Sequence, residues 1–315
     1  GSVTVNGKSA KQARLDQDYG MAFQQAGLFD WRTVRKNIEL PLELKGWDKA
    51  KRLGFKADTD IEEIIKAIKD LRASGAEQAD TTSWNSRVSG WREQFPMSYE
   101  QSQPGDLLKP QFCLESIRDN APEGTILVSG VGQHQMWSSQ YWRFEEPYTW
   151  VNSGGLGTMG FSIPAAIGAK VGRPDRTVWA IDGDGCFQMT AQELVTATVE
   201  RIPIKVGILN NSYLGMVRQW QEMFYEERYS EVYLSTEVPN FVKWAESMGC
   251  VGIRVDDPSE VESAIDKANS INDRPVVVDF RVDAGEKVFP MVAAGQSNDD
   301  IMLHPTQQPR KEFLR

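Results

Sequence analysis

The sequence predicts an α/β fold: a doubly wound, mostly parallel sheet with helices on both faces, preceded by a short unrelated N-terminal segment. Apolar runs without polar alternation recur after residue 110, as in TILVSGV (125–131), TVWAIDG (177–183) and PVVVDFRV (275–282). Such runs are typical of strands that are covered on both faces. Helical or glycine-rich stretches long enough to form crossovers separate the runs, which favours parallel pairing.

The first element that the pattern predicts is an amphipathic helix over residues 59–71. Thr59 and Glu62 stand at the spacing of a capping box, and a glycine follows the last apolar position. Its apolar face is formed by Ile61, Ile64, Ile65, Ile68 and Leu71. The polar stretch that follows is broken by prolines and predicts a short helix and a surface connection, so residues 57–105 are expected to form a helical linker.

A domain of alternating strands and helices is predicted over residues 106–303, with 304–315 as a tail. The glycine-rich loop GGLGTMG (154–160) follows the first strand and leads into a helix of small residues. The run TVWAIDG is the next strand, Thr190 and Glu193 predict a capped helix, and IPIKVGILNN is a further strand. The runs CVGIRV and PVVVDFRV complete the sheet.

The composition is that of an acidic globular protein. The chain has 315 residues, a formal net charge of -9 and no concentrated run of lysine and arginine, which argues against a nucleic-acid partner. Cys113, Cys186 and Cys250 are far apart and lack CxxC spacing, so neither disulfides nor a zinc site is expected. No apolar stretch approaches the roughly 18 residues of a membrane span, and the N-terminus has no signal core. We therefore expect a cytoplasmic protein without a membrane span.

Two strand ends carry the residues that point to a chemical role. Asp184 stands between glycines directly after one strand, and Asn211 ends the next. Ligands of open parallel sheets bind beyond the carboxyl ends of the strands. A carboxylate, an amide oxygen and a nearby main-chain carbonyl suit a Mg²⁺ ion that completes its shell with phosphate oxygens. An acidic chain can hold a diphosphate in this way without lysine.

The same stretch allows two other interpretations. Residues 182–193 mimic the ends of an EF-hand loop, but Cys186 stands at a ligand position and Phe187 stands where the turn needs glycine, so this interpretation fails. The GDG tripeptide (183–185) could also only turn a strand into a helix. The second strand end and the separate glycine loop favour the ligand site.

Several linked motifs carry a family resemblance. GDG, followed after 25 residues by Asn211, resembles the diphosphate-binding motif of thiamine-diphosphate enzymes. The segments SGVGQHQMW, NSGGLGTMG, NNSYLGMVRQWQ and FPMVAAGQSNDDIM are similar to the C-terminal, cofactor-binding domain of acetohydroxyacid (acetolactate) synthase catalytic subunits. The resemblance covers about residues 57–303 and implies binding of thiamine diphosphate and Mg²⁺.

The resemblance also implies a role for each matching position. Magnesium would be coordinated by Asp184, Asn211 and the main-chain carbonyl of Tyr213. Met159 would hold the cofactor in its bent form, and Trp220 would help to select the second keto acid. The implied cofactor-binding positions are Val131, Gly132, Gln133, His134, Gly157, Met159, Gly183, Asp184, Gly185, Cys186, Asn211, Tyr213, Gly215, Met216 and Val217.

Plainer interpretations stay open for some of these residues. Met159, Met216 and Val217 could be ordinary core residues, since such side chains fill irregular gaps in any protein. His134 is expected to be a binding group and not a general base, because a lone histidine is more often structural than catalytic. Trp220 could simply bury a lid.

The family's reaction decarboxylates pyruvate and joins the two-carbon unit to a second 2-keto acid, in branched-chain amino-acid biosynthesis. The cofactor carries the chemistry. In the family the activating glutamate comes from another domain, normally of a partner subunit in a dimer, and no segment here resembles that domain. We therefore expect no catalytic residue in this chain, and activity only with a homodimer partner or a complementing synthase subunit. The family also binds FAD, but the FAD-associated domain has no counterpart here.

Residues 1–52 do not resemble a synthase. YGMAFQQAGLFDWRTVRKNIELPLELKG resembles the glutamine-loop region of ABC-transporter ATPases of the nitrate, sulfonate or taurine type, with Gln24 at the loop glutamine. No glycine stands five positions before Gly7 in the GKS run, so the phosphate cradle of an ATPase is incomplete and nucleotide hydrolysis is not expected. We expect a fused, truncated or misassembled reading frame with its seam near residues 53–56.

Three function hypotheses follow. The leading one is a thiamine-diphosphate-dependent carboligase of the acetolactate synthase type. The alternatives are an ABC-transporter ATP-binding subunit fragment, based on residues 1–52, and a noncatalytic cofactor-binding or assembly module. Among thiamine enzymes a glyoxylate carboligase or an oxidase also stays open, although the QWQ run (219–221) and the MVAAG run (291–295) favour the synthase.

Overall fold

The computed structural model describes residues 80–306, apart from 104, 294 and 305, together with residues 4–5, 8–9, 69–70 and 73. The chain divides into two compact units, residues 1–87 and 88–315. In the first unit, strand β1 (Thr4–Val5) pairs antiparallel with β2 (Lys8–Ser9). The ATPase-like segment 1–52 and the helix expected over 59–71 otherwise lie largely outside the described residues.

A six-stranded sheet, parallel throughout, organises the second unit. Its strands are β3 (Ile126–Ser129), β4 (Trp150–Asn152), β5 (Val178–Gly183), β6 (Lys205–Asn210), β7 (Val251–Val255) and β8 (Val276–Arg281). Their spatial order is β4-β3-β5-β6-β8-β7. The predicted doubly wound α/β fold with a mostly parallel sheet is confirmed.

Helices precede and connect these strands. They are α1 (Thr82–Gln94), α2 (Pro110–Asn120), α3 (Gln133–Tyr141), α4 (Ser162–Gly172), α5 (Asp184–Phe187), α6 (Leu194–Val199), α7 (Gly215–Phe224), α8 (Phe241–Ser247) and α9 (Val261–Ser270). Short 3-10 turns lie at Ala191–Glu193, Pro258–Glu260 and Asn298–Asp300. Over the described part of the chain, no helix is long and apolar enough to cross a membrane.

The strands send alternate side chains into two apolar layers. In β5, Trp179 and Ile181 belong to a core cluster that includes residues of α2, α3 and α9, whereas Val178 and Ala180 belong to a cluster with residues of α4, α6 and α8. Helices therefore cover both faces of the sheet. This double coverage is the physical reason why the strands are continuous apolar runs in the sequence.

The sheet reverses its winding between β3 and β5. From β3 the chain continues to β4 on one side, and from β5 it continues to β6 on the other. In open parallel sheets such a reversal leaves a crevice beyond the carboxyl ends of the two strands, where ligands bind. The loops that follow β3, β5 and β6 are thus brought to one edge of the sheet.

The expected capping box at Thr190 is not formed. Thr190 precedes the 3-10 turn Ala191–Glu193, and α6 begins only at Leu194. The Thr190 hydroxyl makes no cap and donates instead to the main-chain carbonyl of Gly160, at 2.7 Å. A tertiary hydrogen bond thus replaces the local one and fixes the glycine-rich loop against the segment after β5.

Candidate functional site

One cleft gathers the residues that follow β3, β5 and β6. It is lined by Val131, Gly132, Gln133, His134, Trp137, Met159, Gly183, Asp184, Gly185, Cys186, Leu209, Asn211, Tyr213, Leu214, Gly215, Met216 and Val217. Every predicted cofactor-binding position except Gly157 is among them. The sheet therefore brings together residues that are up to 86 positions apart in the sequence, between Val131 and Val217.

Asp184 supplies a buried carboxylate to this cleft. It begins the short helix α5 directly after β5, and the residue is 2% exposed. Burial raises the pKa of Asp184 to about 7, against the opposing effect of the backbone N–H groups of Asp184 and Gly185. Among the described residues, no lysine or arginine forms an ion pair with it. The charged form of this side chain is therefore compensated only in part, which favours a bound cation.

Asn211 presents its amide from the end of the neighbouring strand. Its Oδ1 accepts a hydrogen bond from the backbone N–H of Tyr213 at 3.0 Å, and its Nδ2 donates to Oε1 of Gln133 at 3.3 Å. The preceding residue has a different role, because Asn210 is buried and donates to Asp279 in β8 at 2.8 Å. Only the second asparagine of the pair lines the cleft.

A buried polar cluster underlies the cleft beside Asp184. His134 Nε2 lies 3.5 Å from Asp182 Oδ1, and the Ser162 hydroxyl donates to Asp182 Oδ2 at 2.5 Å. Burial lowers the pKa of His134 to about 3 and raises the pKa of Asp182 to about 6. His134 is therefore neutral near pH 7, so it provides a neutral hydrogen-bonding ring and not a positive charge for a ligand.

Cys186 ties the loops of the cleft together. Its sulfur accepts hydrogen bonds from the backbone N–H groups of Gly160, at 3.1 Å, and Val131, at 3.4 Å. Burial raises the pKa of the Cys186 thiol well above its ordinary value. The side chain thus joins the loops after β3 and before α4 to α5, and it is a neutral thiol.

Glycines keep the floor of the cleft open. A Cβ atom at Gly185 would lie 2.8 Å from Leu214, and one at Gly215 would lie 2.0 Å from Oε1 of Gln133. Gly157 lies next to the cleft, since its Cβ position is 3.8 Å from Val131, and its φ of 71° is in the left-handed region that favours glycine. Side chains at Gly185 and Gly215 would displace residues that line the cleft.

Trp220 lies outside this cleft, in an adjoining hollow. Met216, Val217, Trp220, Gln221, Tyr225 and Arg228 line that hollow. Met216 and Val217 belong to both spaces, and the indole N–H of Trp220 contacts the sulfur of Met216 at 3.2 Å. The structure therefore connects Trp220 to the cleft through α7.

Sequence reasoning missed three residues that line the cleft, Trp137, Leu209 and Leu214. Trp137 is in the quoted SGVGQHQMW segment, one helical turn after His134, so its spacing was a usable signal. It also missed Gln219, which is 2% exposed and donates to the carbonyl of Val288 while accepting from Gln133. No local pattern identifies this contact, because the partners lie 69 and 86 residues away.

Comparison with known proteins identifies the domain. Residues 130–280 match the family model of the thiamine pyrophosphate enzyme C-terminal TPP-binding domain. The match covers β5 and β6 and the loops that follow β3, β5 and β6, and hence the residues that line the cleft.

About three quarters of the chain is similar to acetolactate synthases. It is 53% identical over 246 residues to the acetolactate synthase large subunit of Corynebacterium glutamicum, covering 77% of this chain and 39% of that protein. It is 51% identical to the acetolactate synthases of Mycobacterium leprae, over 244 residues, and Mycobacterium bovis, over 245 residues, covering 76% of this chain and 39% of each relative. The chain thus spans about two fifths of the length of these relatives.

The comparisons give no support to the ABC-transporter alternative. They agree with the parallel α/β fold. Residues 130–280 therefore belong to the C-terminal TPP-binding domain family of thiamine pyrophosphate enzymes, and about three quarters of the chain is similar to part of acetolactate synthases.

Proposed function

We propose that residues 106–303 hold thiamine diphosphate through Mg²⁺ and form the cofactor domain of a carboligase of the acetolactate synthase type. The observation that carries this proposal is the position of Asp184 and Asn211. They follow adjacent parallel strands, β5 and β6, and line the same cleft. The chain is similar to acetolactate synthases over about two fifths of their length, and this similarity supports the type of reaction.

The chemistry of the donor set fits Mg²⁺. Asp184 offers a carboxylate oxygen, Asn211 offers Oδ1, and the main chain of Tyr213 offers a carbonyl oxygen. Hard oxygen donors of this kind, few in number, suit an ion that keeps its remaining positions for phosphate oxygens and water. A cation would also compensate the buried charge of Asp184, whose pKa is raised to about 7.

The surroundings of these oxygens fit a diphosphate. Helix α3 begins after Gly132 and α7 begins at Gly215, so both direct N-terminal N–H groups toward the cleft. In our assignment, Gly132, Gln133 and His134 line the diphosphate end, and Gly185 and Cys186 present backbone N–H groups. The neutral His134 ring acts there as a hydrogen-bonding group.

The remaining cleft residues would position the organic part of the cofactor. Gly157 and Met159 would contact the aminopyrimidine, with Met159 as the wedge, while Met216 and Val217 pack from α7 and exclude water. Val131, Gly183 and Gly215 would shape the backbone around it. Bound thiamine diphosphate supplies the nucleophilic carbon that adds to a 2-keto acid and stabilises the negative charge left by loss of CO₂.

The substrates would enter from the side of Trp220. We assign pyruvate and a second 2-keto acid as substrates, and Trp220 as a residue that contacts the second one. A partner chain, in a homodimer or as a complementing synthase subunit, would supply the activating glutamate. We place this activity in the cytoplasm, in keeping with the free, buried thiols of Cys113, Cys186 and Cys250.

Within this scheme, residues 57–105 serve as a helical linker and 304–315 as a tail. We assign no nucleotide chemistry to residues 1–52 and no FAD-binding role to the described residues.

Calorimetric titration with thiamine diphosphate, with and without Mg²⁺, tests the proposal. We expect Mg²⁺-dependent binding by the full chain and its loss in Asp184→Ala, because the variant removes the only charged metal ligand. The matched control is Asp266→Ala, which removes an exposed carboxylate on α9 and should bind as the wild type does. Binding that is equal in Asp184→Ala and in the wild type would refute the assignment.

A further inference from the structure

Gln219 lies buried behind the cleft and contacts none of the space where a ligand would sit. Its Oε1 accepts from the backbone N–H of Val288 at 2.9 Å, and its Nε2 donates to the carbonyl of the same residue at 3.1 Å. Turning this amide over would place donor against donor and acceptor against acceptor. The backbone of Val288, which is fully buried, therefore sets which end of the Gln219 amide is oxygen.

The orientation of Gln219 passes to Gln133. Gln133 Nε2 donates to Gln219 Oε1 at 2.8 Å and to the main-chain carbonyl of Glu286 at 3.1 Å. Both partners are acceptors, so the NH₂ end of Gln133 must face them. Its Oε1 is consequently turned to the other side, toward Asn211.

The orientation of Gln133 in turn acts on Asn211. Gln133 Oε1 accepts from Asn211 Nδ2 at 3.3 Å, which leaves Asn211 Oδ1 facing the backbone N–H of Tyr213 at 3.0 Å. Gly215 makes the contact possible, because a Cβ atom there would lie 2.0 Å from Gln133 Oε1 and 2.7 Å from Asn211 Nδ2. Three side-chain amides thus form a chain in which each one fixes the orientation of the next.

This chain matters for a cation because only one atom of an amide can bind it. The oxygen is a ligand for Mg²⁺, whereas the NH₂ group is a donor and repels the ion. We propose that Gln219 is a positioning residue that acts through Gln133 to keep the oxygen of Asn211 directed at the cation. The inference rests on the proposed function, and it concerns a residue that touches neither metal nor cofactor.

The test is the Kd of Mg²⁺, measured by calorimetry on the full chain with saturating thiamine diphosphate. Gln219→Met removes the acceptor for Gln133 Nε2 and the donor to the Val288 carbonyl, and it should raise the Kd about tenfold, as expected for the loss of a residue that orients a metal ligand. Gln219→Glu keeps an acceptor for Gln133 Nε2, and its carboxyl, protonated because it is buried, keeps a donor to the Val288 carbonyl, so the Kd should stay within about twofold of the wild type. Equal Kd values for Gln219→Met and the wild type would overturn the inference.

The control is Gln221→Met on the same helix. Gln221 makes the same two-point contact with a backbone, donating to the carbonyl of Ser230 at 3.1 Å and accepting from its N–H at 3.0 Å. It is not part of the amide chain, so the Kd of Mg²⁺ should not change. A tenfold rise in this variant too would overturn the inference, because it would mean that any such loss on α7 disturbs the cleft.

An Asn211→Asp background separates orientation from general damage. A carboxylate has an oxygen on either side, so its orientation no longer matters. In this background the ratio of the Mg²⁺ Kd values with and without Gln219→Met should therefore fall to about one. The same factor in both backgrounds would overturn the positioning role. A wild type that binds no Mg²⁺ with thiamine diphosphate would overturn the proposed function as well, whereas wild-type binding with an unchanged Gln219→Met overturns the positioning role alone.

Discussion

At the scale of residues, the cleft depends on glycine positions at which a side chain would not fit. A Cβ atom at Gly130 would lie 2.1 Å from Asp182 Oδ1, 2.7 Å from Cys186 Sγ and 2.8 Å from His134 Nε2. These three side chains are buried, so they have little room to move away. Gly130 therefore permits the polar cluster under the cleft.

Gly130→Ala is expected to lower the free energy of unfolding by about 1–3 kcal/mol, because the added methyl group overpacks this cluster. Gly168→Ala is the matched control: its Cβ meets nothing within 4 Å, and the residue is exposed in α4. There we expect a gain of about 0.5–1 kcal/mol from helix propensity. Chemical denaturation measures both changes. An unchanged free energy of unfolding in Gly130→Ala would contradict the packing described.

Lys205 carries a pH dependence of stability. It is 1% exposed, its ammonium group contacts the carbonyl of Ile271, and burial lowers its pKa from 10.5 to about 8. Between these values the unfolded chain binds more protons than the folded chain, so stability rises with pH. The free energy of unfolding of the wild type should therefore rise by about 1–3 kcal/mol relative to that of Lys205→Met when the pH is raised from 7.5 to 10.5. Parallel profiles of stability against pH in the two proteins would show that folding does not lower the pKa of Lys205.

The candidate ligands could be predicted at this scale, and the side chains that orient them could not. Asp184 and Asn211 were recognisable because each follows an apolar run and the family motif joins them. Which residue of the asparagine pair faces the cleft came from that motif, since residue type alone does not separate Asn210 from Asn211. Gln219 gave no signal for an orienting role, because its partners are distant in sequence and glutamine on a helix is common.

At the scale of elements, apolar runs predicted the strands because both faces of the sheet are covered by helices. The order of the strands did not follow from these runs, since every one of them is apolar and they differ only in their neighbours. The prediction of a capping box at Thr190 was wrong for a related reason. The Thr190 side chain donates to the carbonyl of Gly160, a tertiary acceptor that local spacing does not reveal.

The segment after β8 is joined to the start of α2 by an ion-pair cluster. Lys109 Nζ lies 2.6 Å from Glu286 and 2.9 Å from Asp283, and Gln111 also donates to Glu286 at 2.9 Å. The side chains of Lys109 and Glu286 are 13% and 9% exposed. The cluster holds the segment that contains Val288, and hence the backbone that orients Gln219.

Lys109→Met should lower the free energy of unfolding by about 2 kcal/mol, because it leaves the carboxylate of Glu286 buried without its cation. The comparison is Arg173→Met, which breaks the exposed pair with Asp175, whose side chains are 50% and 60% exposed. That exposed pair is screened by solvent and should contribute much less than the buried one. Equal losses in the two variants would contradict the role of burial.

At the scale of the whole molecule, the described domain resembles one part of larger relatives. The chain covers 39% of the acetolactate synthase large subunit of Corynebacterium glutamicum. The fold and the cleft follow from residues within the chain, which is why the sequence alone predicted them. In the proposed function, substrate choice and catalytic activity also depend on groups that the resemblance places in other domains.

Ligand binding should stabilise the domain measurably. Thiamine diphosphate with Mg²⁺ at 100 times its Kd should add about 2.7 kcal/mol to the free energy of unfolding, because it binds only the folded chain. Removing Mg²⁺ with EDTA should abolish most of this gain while thiamine diphosphate remains. Differential scanning calorimetry measures the shift, and a shift that persists in EDTA would contradict a metal-bridged diphosphate.

The position of the metal is tested most directly by a crystal structure of the chain with thiamine diphosphate and Mn²⁺ in place of Mg²⁺, using the anomalous signal of manganese. We predict one peak within about 2–2.3 Å of both the Asp184 carboxylate and the Asn211 Oδ1, at the carboxyl ends of β5 and β6. A peak that contacts only one of these side chains, or that lies outside the cleft, would contradict the shared site.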